Sequence, residues 1–235
     1  MGRAKEIILK VIPAKIANEF VKKHHYSGKV VPNSTLHFGC FLDGKLGGVM
    51  QYGPSINKKG TINLVENTGW NEFIELNRMA FSDYLPKYSE SRCIAISIKL
   101  IKKNASQIKW IISFADGTQC GDGTIYRASG FKLVGIVDNT ALRINPKTGE
   151  AMHVIQAHHK KISSEFRNWK PFKGKQLKYI YLIDKSMTIS KEILSFSEID
   201  KQGAGMYKGE KITLQERRAN ESDKVDSNAN SKLDA

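Results

Sequence analysis

The chain is short of cysteine, of acid and of long apolar runs, and each shortage removes a class of protein. Cys40, Cys93 and Cys120 form no CxxC pair, so neither a disulfide frame nor a structural zinc site is expected. No stretch approaches the roughly 18 apolar residues that a membrane-spanning helix needs. The opening MGRAKEIILK is too short and wrongly flanked for a signal peptide, and its sixth residue is not the Ser or Thr of a myristoylation signal. The expected setting is therefore the cytoplasm. Acids number 23 against 37 Lys and Arg, a net charge of +14 over 235 residues. That excess favours polyanionic partners, nucleic acid before an anionic membrane surface.

What is present is enough to fold. Apolar residues make up 40% of the chain and aromatics 9%, which suits one domain of ordinary size with an extension. KEIILKVI reads as a strand, and Pro13 then suits the first turn of a helix, where its missing N–H costs nothing. Along that helix Ile16, Phe20 and His24 share one column and Ala17, Val21 and His25 the next; Gly28 is expected to end it. Leu36, Phe38, Cys40 and Leu42 alternate up to Asp43-Gly44, the tight turn of a hairpin. NEFIELNRMAF reads as a strand, SESRCIAISIKLIKKNAS as a helix capped by Ser89 or Ser91, and KWIISFAD as a buried central strand. GDGTIYRASG is a short helix closed by Gly130, FKLVGIVDNT the strand after it, and KYIYLID a late strand. This order predicts a mixed α/β fold, a central sheet flanked by helices, over residues 1–186. Residues 187–202 read as a short helical extension. Residues 203–235, polar and nearly charge-balanced, read as a disordered tail.

Chemistry concentrates in three places. KKHHYSGK puts two histidines and a tyrosine where the first helix ends. Near-neutral imidazoles there can manage protons, ligate a metal or merely cap the helix. Asp116 ends the buried strand, the position at which α/β folds place their sites. Ser113, on the same strand, is a further candidate for that cleft. On the middle strand, period two puts Glu75 and Asn77 on one face and Leu76 and Arg78 on the other, with Glu75 and Arg78 as candidate site residues or a structural network. Trp70, just before, reads as an anchor of that strand. Tyr126 on the short helix can donate a proton or simply pack.

IYRASGF after a strand that ends in an acid resembles the last third of the GNAT acyltransferase fold, in which a tyrosine four residues before Gly-Phe protonates a departing thiolate; Tyr126 stands at that place. The glycine turn that cradles the CoA pyrophosphate in those enzymes is missing. At the matching LPKYSESR, Ser89, Ser91 and Arg92 are left as phosphate candidates at a helix N-terminus. Taken together, HHYSG, FIELNRM and SFADGTQCGDGTIYRASGF resemble the Mom family of phage DNA-modification proteins, themselves GNAT-like, over about residues 5–185. The resemblance implies transfer of a carbamoylmethyl group to adenine N6 in duplex DNA inside a bacterial host, which protects phage DNA from restriction. It assigns the catalytic set to His25, Tyr26, Asp116 and Tyr126, from a group donor that stays unidentified. It also implies iron(II), for which His25 and Asp116 are the ligand types at hand.

Chemistry on adenine N6 normally takes the base out of the stack, and lysines on phosphates offset that cost. Lys58 and Lys59 in NKKG and Lys160 and Lys161 in HHKK are candidate contacts. HHKKISSEFRNWKPFKGKQLK, basic with Phe166, Trp169 and Phe172 interleaved, adds Trp169 and Lys170. Two rival readings remain open. One is an acetyl-CoA-dependent N-acetyltransferase, which needs the Leu85–Arg92 turn to bind CoA. The other is a non-catalytic DNA-binding protein, indifferent to loss of His25 or of the Tyr126 hydroxyl.

Overall fold

A 3-10 turn, Arg3–Glu6, precedes strand β1, Ile8–Val11, and helix α1, Ala14–His24. In this computed structural model residues 2–118, 120–172, 174–207 and 210–220 are described. Pro13 takes the position before the helix, and its carbonyl accepts the Ala17 N–H at 3.1 Å. The buried column of α1 is Ala17 and Val21, whereas Ile16 is 44% exposed. The helix stops at His24, earlier than Gly28, because His25 is already extended with φ −84° and ψ 135°. Gly28, at φ +59°, donates its N–H to the His25 carbonyl and closes the turn in a conformation that suits glycine.

Strands β2, Leu36–Leu42, and β3, Lys45–Gly53, form the expected hairpin, with Asp43 and Gly44 both at positive φ. After α2, Lys58–Ile62, comes β4, Phe73–Phe81, antiparallel to β3. Helix α3, Ser89–Asn104, then leads to β5, Trp110–Asp116, which runs parallel to β4. Neither serine caps α3. Tyr88 holds the cap position in a left-handed conformation, φ 71°, and Ser89 is already helical. Helix α4, Thr124–Ala128, and β6, Lys132–Asp138, follow as expected, with Gly130 at φ +81° between them.

The sequence pattern does not reveal the next stretch. It holds β7, Leu142–Ile144, β8, Ala151–His153, α5, Val154–His159, α6, Ser163–Phe166, and β9, Lys170–Pro171. Three-residue strands and single-turn helices are too short to show a period. Strand β10, Lys175–Leu182, and α7, Ser197–Lys201, complete the named elements. The larger sheet has the order β1-β2-β3-β4-β5-β10-β6, the smaller one β8-β7-β9. The mixed α/β architecture is thus the one observed.

The chain divides into two units. The first is Met1–Phe114, Gly123–Gly135 and Lys178–Leu194; the second is Ala115–Asp122, Ile136–Leu177 and Ser195–Ala235. In the first, Phe73 stacks on Trp110 with ring centroids 4.5 Å apart, inside a cluster with Leu64, Val65, Ile112, Val134 and Ile180. A second cluster seats Ala17 and Val21 of α1 on Val49 and Ala80 of the sheet. So α1 covers one face of β3 and β4. On the opposite face the Tyr52 hydroxyl lies 2.6 Å from Ser97 of α3.

In the second unit Met152, Ala157, Phe166 and Trp169 form a core of their own. This corrects the expectation for the basic segment: Phe166 and Trp169 are 3% and 5% exposed, so their rings pack together instead of stacking on bases. The charges around them stay outside. Lys160, Lys161 and Lys170 are exposed. Part of the expected tail is ordered as well. Residues 214–220 are helical, Ala204 and Met206 are buried, and buried Arg217 meets buried Asp122 at 3.3 Å. The rest of the tail, residues 221–235, lies outside the described residues. Truncating the buried indole, Trp169→Ala, is expected to cost about 3–5 kcal/mol of stability, read by chemical denaturation. A surface indole would cost no more than about 0.5 kcal/mol, and that result would refute the packing.

Candidate active site

The register of β3 against β4 decides which side chains meet. Gln51 pairs with Arg78, but the next residue of β3, Tyr52, pairs with Leu76, so Asn77 is one residue too many for its partner strand. Such a bulge turns every later side chain to the other face. Tyr52 and Leu76 lie on the α3 side. Beyond the bulge Arg78 takes the α1 side, with Gln51 beside it and Val49 and Ala80 further along. Glu75, one residue before Leu76, lies on that same side. The strict alternation expected from the sequence, Arg78 with Leu76 and Glu75 with Asn77, is therefore broken: Glu75 and Arg78 share a face. Parallel pairing of β4 with β5 runs from Phe73 and Trp110 to Leu76 and Ser113, and ends at the level of the bulge.

His25 comes to this place from the turn that ends α1, where it is half-buried. Its imidazole pKa is lowered from the usual 6.5 to about 4, first by burial and then by the positive charge of Arg78. Arg78 in turn donates from Nε to the Lys29 carbonyl at 3.1 Å and from Nη1 to the Asn77 carbonyl at 2.8 Å, which ties the loop after α1 to the bulge. Burial pushes the Glu75 carboxyl above its usual range, against the opposing pull of Ser55, Asn77 and Arg78. A carboxyl whose affinity for a proton is raised by burial is better suited to take one up than an exposed carboxylate. The Tyr26 ring lies tilted against His25, ring centroids 4.3 Å apart, and the residue is 52% exposed. His24 stacks on Phe20 instead, ring centroids 4.3 Å apart.

Sequence reasoning missed the polar line beneath α1. The Gln51 amide is fully buried, donates to Asn18 Oδ1 at 2.8 Å and lies 3.2 Å from His37 Nδ1. Burial lowers the His37 pKa too. Gln51 lies inside an apolar-looking strand, GGVMQYG, and that buried amide was the one signal available.

Tyr126 belongs to the α3 side. Its ring lies 5.4 Å from Tyr179 and 5.5 Å from Phe131, and it acts electrostatically on the Tyr52 phenol, whose pKa burial raises far above the usual range. α4 can start here because Gly123, at φ +79°, brings its backbone against the Tyr179 ring, where any Cβ would collide. Thus His25, Tyr26, Glu75 and Arg78 gather on one face of the sheet, and Tyr126 lies with Tyr52 on the other.

The remaining candidates are placed differently. Ser113 is fully buried, and its hydroxyl donates to the Leu76 carbonyl at 3.2 Å, so it secures the end of the pairing. Asp116 lies in the second unit, at the end of β5, where Oδ1 accepts the Thr118 N–H at 2.9 Å and the main-chain carbonyl accepts from Cys120 and Gly121. The hydroxyls of Ser89 and Ser91 donate to the carbonyls of Pro86 and Tyr88, and Arg92 Nη2 donates to the Lys5 carbonyl at 2.9 Å; all three side chains are thus engaged with main chain. Trp70 is 52% exposed and carries the Lys58 ammonium 4.5 Å over its ring, a surface pair and not an anchor. Lys59 is exposed beside it.

Iron(II) is not suited by these side chains. His25 Nδ1 accepts the Ser27 main-chain N–H, whereas a metal-bound histidine donates from its second nitrogen. Among the described residues no group of three or more His, Cys, Asp or Glu is placed to hold a metal. None of their helices is long and apolar enough to cross a membrane.

Fold and site together define a mixed α/β protein whose central strand is bulged and lined by a neutral imidazole, a guanidinium and a protonatable carboxyl. The chain belongs to the Mom protein family, whose family model matches residues 6–198. It is 35% identical over 153 residues to the methylcarbamoylase Mom of Escherichia phage Mu, covering 65% of this chain and 62% of that protein. Similar solved structures include a GNAT family acetyltransferase from Elizabethkingia anophelis with acetyl-CoA bound, at 10% identity and a TM-score of 0.43, covering 75% of this chain and 98% of that one. Another is a spermidine/spermine N-acetyltransferase from Vibrio cholerae in complex with manganese ions, at 9% identity and a TM-score of 0.46, covering 78% and 96%.

Because His25 titrates near 4 when folded and near 6.5 when unfolded, the unfolded chain binds more protons between those values. Stability is therefore lost as pH falls from 6.5 towards 4, by up to about 1.4 kcal/mol per pH unit from this residue. Urea denaturation across that window should show the slope in the wild type and a shallower one in His25→Asn. Identical slopes would contradict the half-buried, neutral imidazole.

Proposed function

We propose that the protein is a transferase that modifies phage or prophage DNA, placing a carbamoylmethyl-type group on adenine N6. Membership of the Mom family and the name of the phage Mu relative support the class of reaction. The observation that carries the reading is the convergence of His25, Arg78 and Glu75 on one side of the bulge. Adenine N6 is a poor nucleophile because its lone pair is delocalised into the ring, so its attack must be coupled to proton removal. Glu75, with its carboxyl raised by burial, is the base for that proton. Arg78 holds its charge beside it and favours the ionised carboxylate that accepts the proton and becomes neutral.

In this reading the extruded base enters from the α1 side, flanked by exposed Tyr26. The group donor is placed past the end of the β4–β5 pairing at Leu76 and Ser113, and Tyr126 on the far face supplies a proton to the donor's leaving group. Asp116, in the second unit, is a proposed catalytic residue on the family resemblance alone. Duplex DNA is the proposed partner, with exposed Lys59, Lys160, Lys161 and Lys170 and the Lys58–Trp70 pair as phosphate and sugar contacts. Protection of that DNA from restriction, in the cytoplasm of a bacterial host, is the proposed biological outcome.

Plasmid from bacteria that express the protein should yield a heavier adenosine in nucleoside mass spectrometry. Glu75→Gln, His25→Ala, Asp116→Ala and Tyr126→Phe should each lower its yield by about 100-fold or more while the protein stays folded. Unmodified plasmid from well-folded wild-type protein would overturn the reading. Undiminished modification in Glu75→Gln would remove the carboxyl from the base role.

A further inference from the structure

The turn after α1 constrains what His25 can do. The Ser27 main-chain N–H donates to His25 Nδ1 at 3.1 Å, and the Ser27 hydroxyl lies 2.8 Å from the same nitrogen. That hydroxyl oxygen accepts the Lys29 N–H at 3.3 Å, which leaves its own proton to point at Nδ1. A main-chain N–H can only donate. Nδ1 must therefore present a lone pair, and the single proton of the neutral ring sits on Nε2. Rotating the ring by half a turn would set a carbon-bound hydrogen against both donors and forfeit two hydrogen bonds, each about 0.5–1.5 kcal/mol. The Gly28 N–H to the His25 carbonyl, 2.8 Å, closes the same turn and keeps Ser27 in place.

We propose that Ser27 is a positioning residue that fixes His25 in its Nε2–H tautomer, so that the ring offers a hydrogen-bond donor and not a lone pair. Three consequences follow from that proton. His25 is no general base, because its one lone pair is taken by Ser27. It is no metal ligand through Nε2, since the proton stands where the metal would bind. And whatever it touches must be an acceptor. On the reading proposed above, that excludes the exocyclic amine, whose hydrogens are themselves donors, and selects a ring nitrogen of the purine or a carbonyl oxygen of the transferred group. Orienting that acceptor is the task of His25, and taking the amine proton is left to Glu75. The choice of acceptor rests on the DNA-modifying reading; the tautomer does not.

Long-range proton–nitrogen NMR of the labelled full chain at pH 7 reads the tautomer directly. His25 should show a bare Nδ1 and a protonated Nε2, and equimolar Co(II) should leave its signals unbroadened. In Ser27→Ala only the main-chain donor remains, so the His25 nitrogen shifts should move towards the average of the two tautomers; Ser27→Thr should restore them. Modification of plasmid adenine should fall about tenfold in Ser27→Ala and recover in Ser27→Thr, the loss expected when about one such hydrogen bond goes. A protonated Nδ1, selective Co(II) broadening of His25, or nitrogen shifts in Ser27→Ala identical to the wild type would each overturn the proposal. The spectra are taken on free protein, so the tautomer can be determined even if the protein leaves DNA unmodified.

Discussion

The extra residue at Asn77 in β4 governs the geometry of the site. It lets Tyr52 pair with Leu76 and Gln51 with Arg78, and so turns the guanidinium to the face that carries Glu75 and lies under α1. Strand pairing with β5 ends at the same level. One local irregularity thus brings a carboxyl and a guanidinium onto one side, at the level where pairing with β5 ends. Arg78 then anchors the chain that follows α1 through the Lys29 carbonyl, so the position of His25 depends on the same bulge.

Electrostatics at this place is a balance of burial against one fixed charge. Burial and Arg78 act in the same direction on His25, both favouring the neutral ring, and they act in opposite directions on Glu75. A guanidinium is the one side chain here that cannot give up its charge to escape burial. The other groups adjust to it. Two nearby buried acceptors, Gln51 Oε1 and Asn33 Oδ1, lack a hydrogen-bond partner among the described residues. Each such atom costs about 1–3 kcal/mol, a burden that folded proteins concentrate where they function.

The second unit shows how composition alone misleads. A segment rich in Lys and Arg with interleaved aromatics suggests stacking on bases, yet Phe166 and Trp169 are needed to close a core around Met152 and Ala157. Strands of two and three residues bury little by themselves, so large rings fill the space. What remains for a polyanion is the exposed cationic fringe. The same need recruits the polar segment after Gly203: Met206 is buried, and Arg217 packs over the Tyr207 ring as it pairs with Asp122.

Much of the first unit was legible in the chain. The 3.6-residue columns of α1, the alternation of β2, the Asp43-Gly44 turn and the apolar run of β5 are each written in neighbouring residues, and HHYSG with its glycine set the turn that holds His25. Local hydrogen bonds and side-chain periods depend on near neighbours, so sequence by itself determined the mixed α/β class and nominated His25, Glu75, Arg78 and Tyr126. Which of these share a face was decided only by tertiary structure. A one-residue offset between β3 and β4 leaves both strand patterns unchanged and reverses every side chain beyond it, and nothing in either strand alone records that offset.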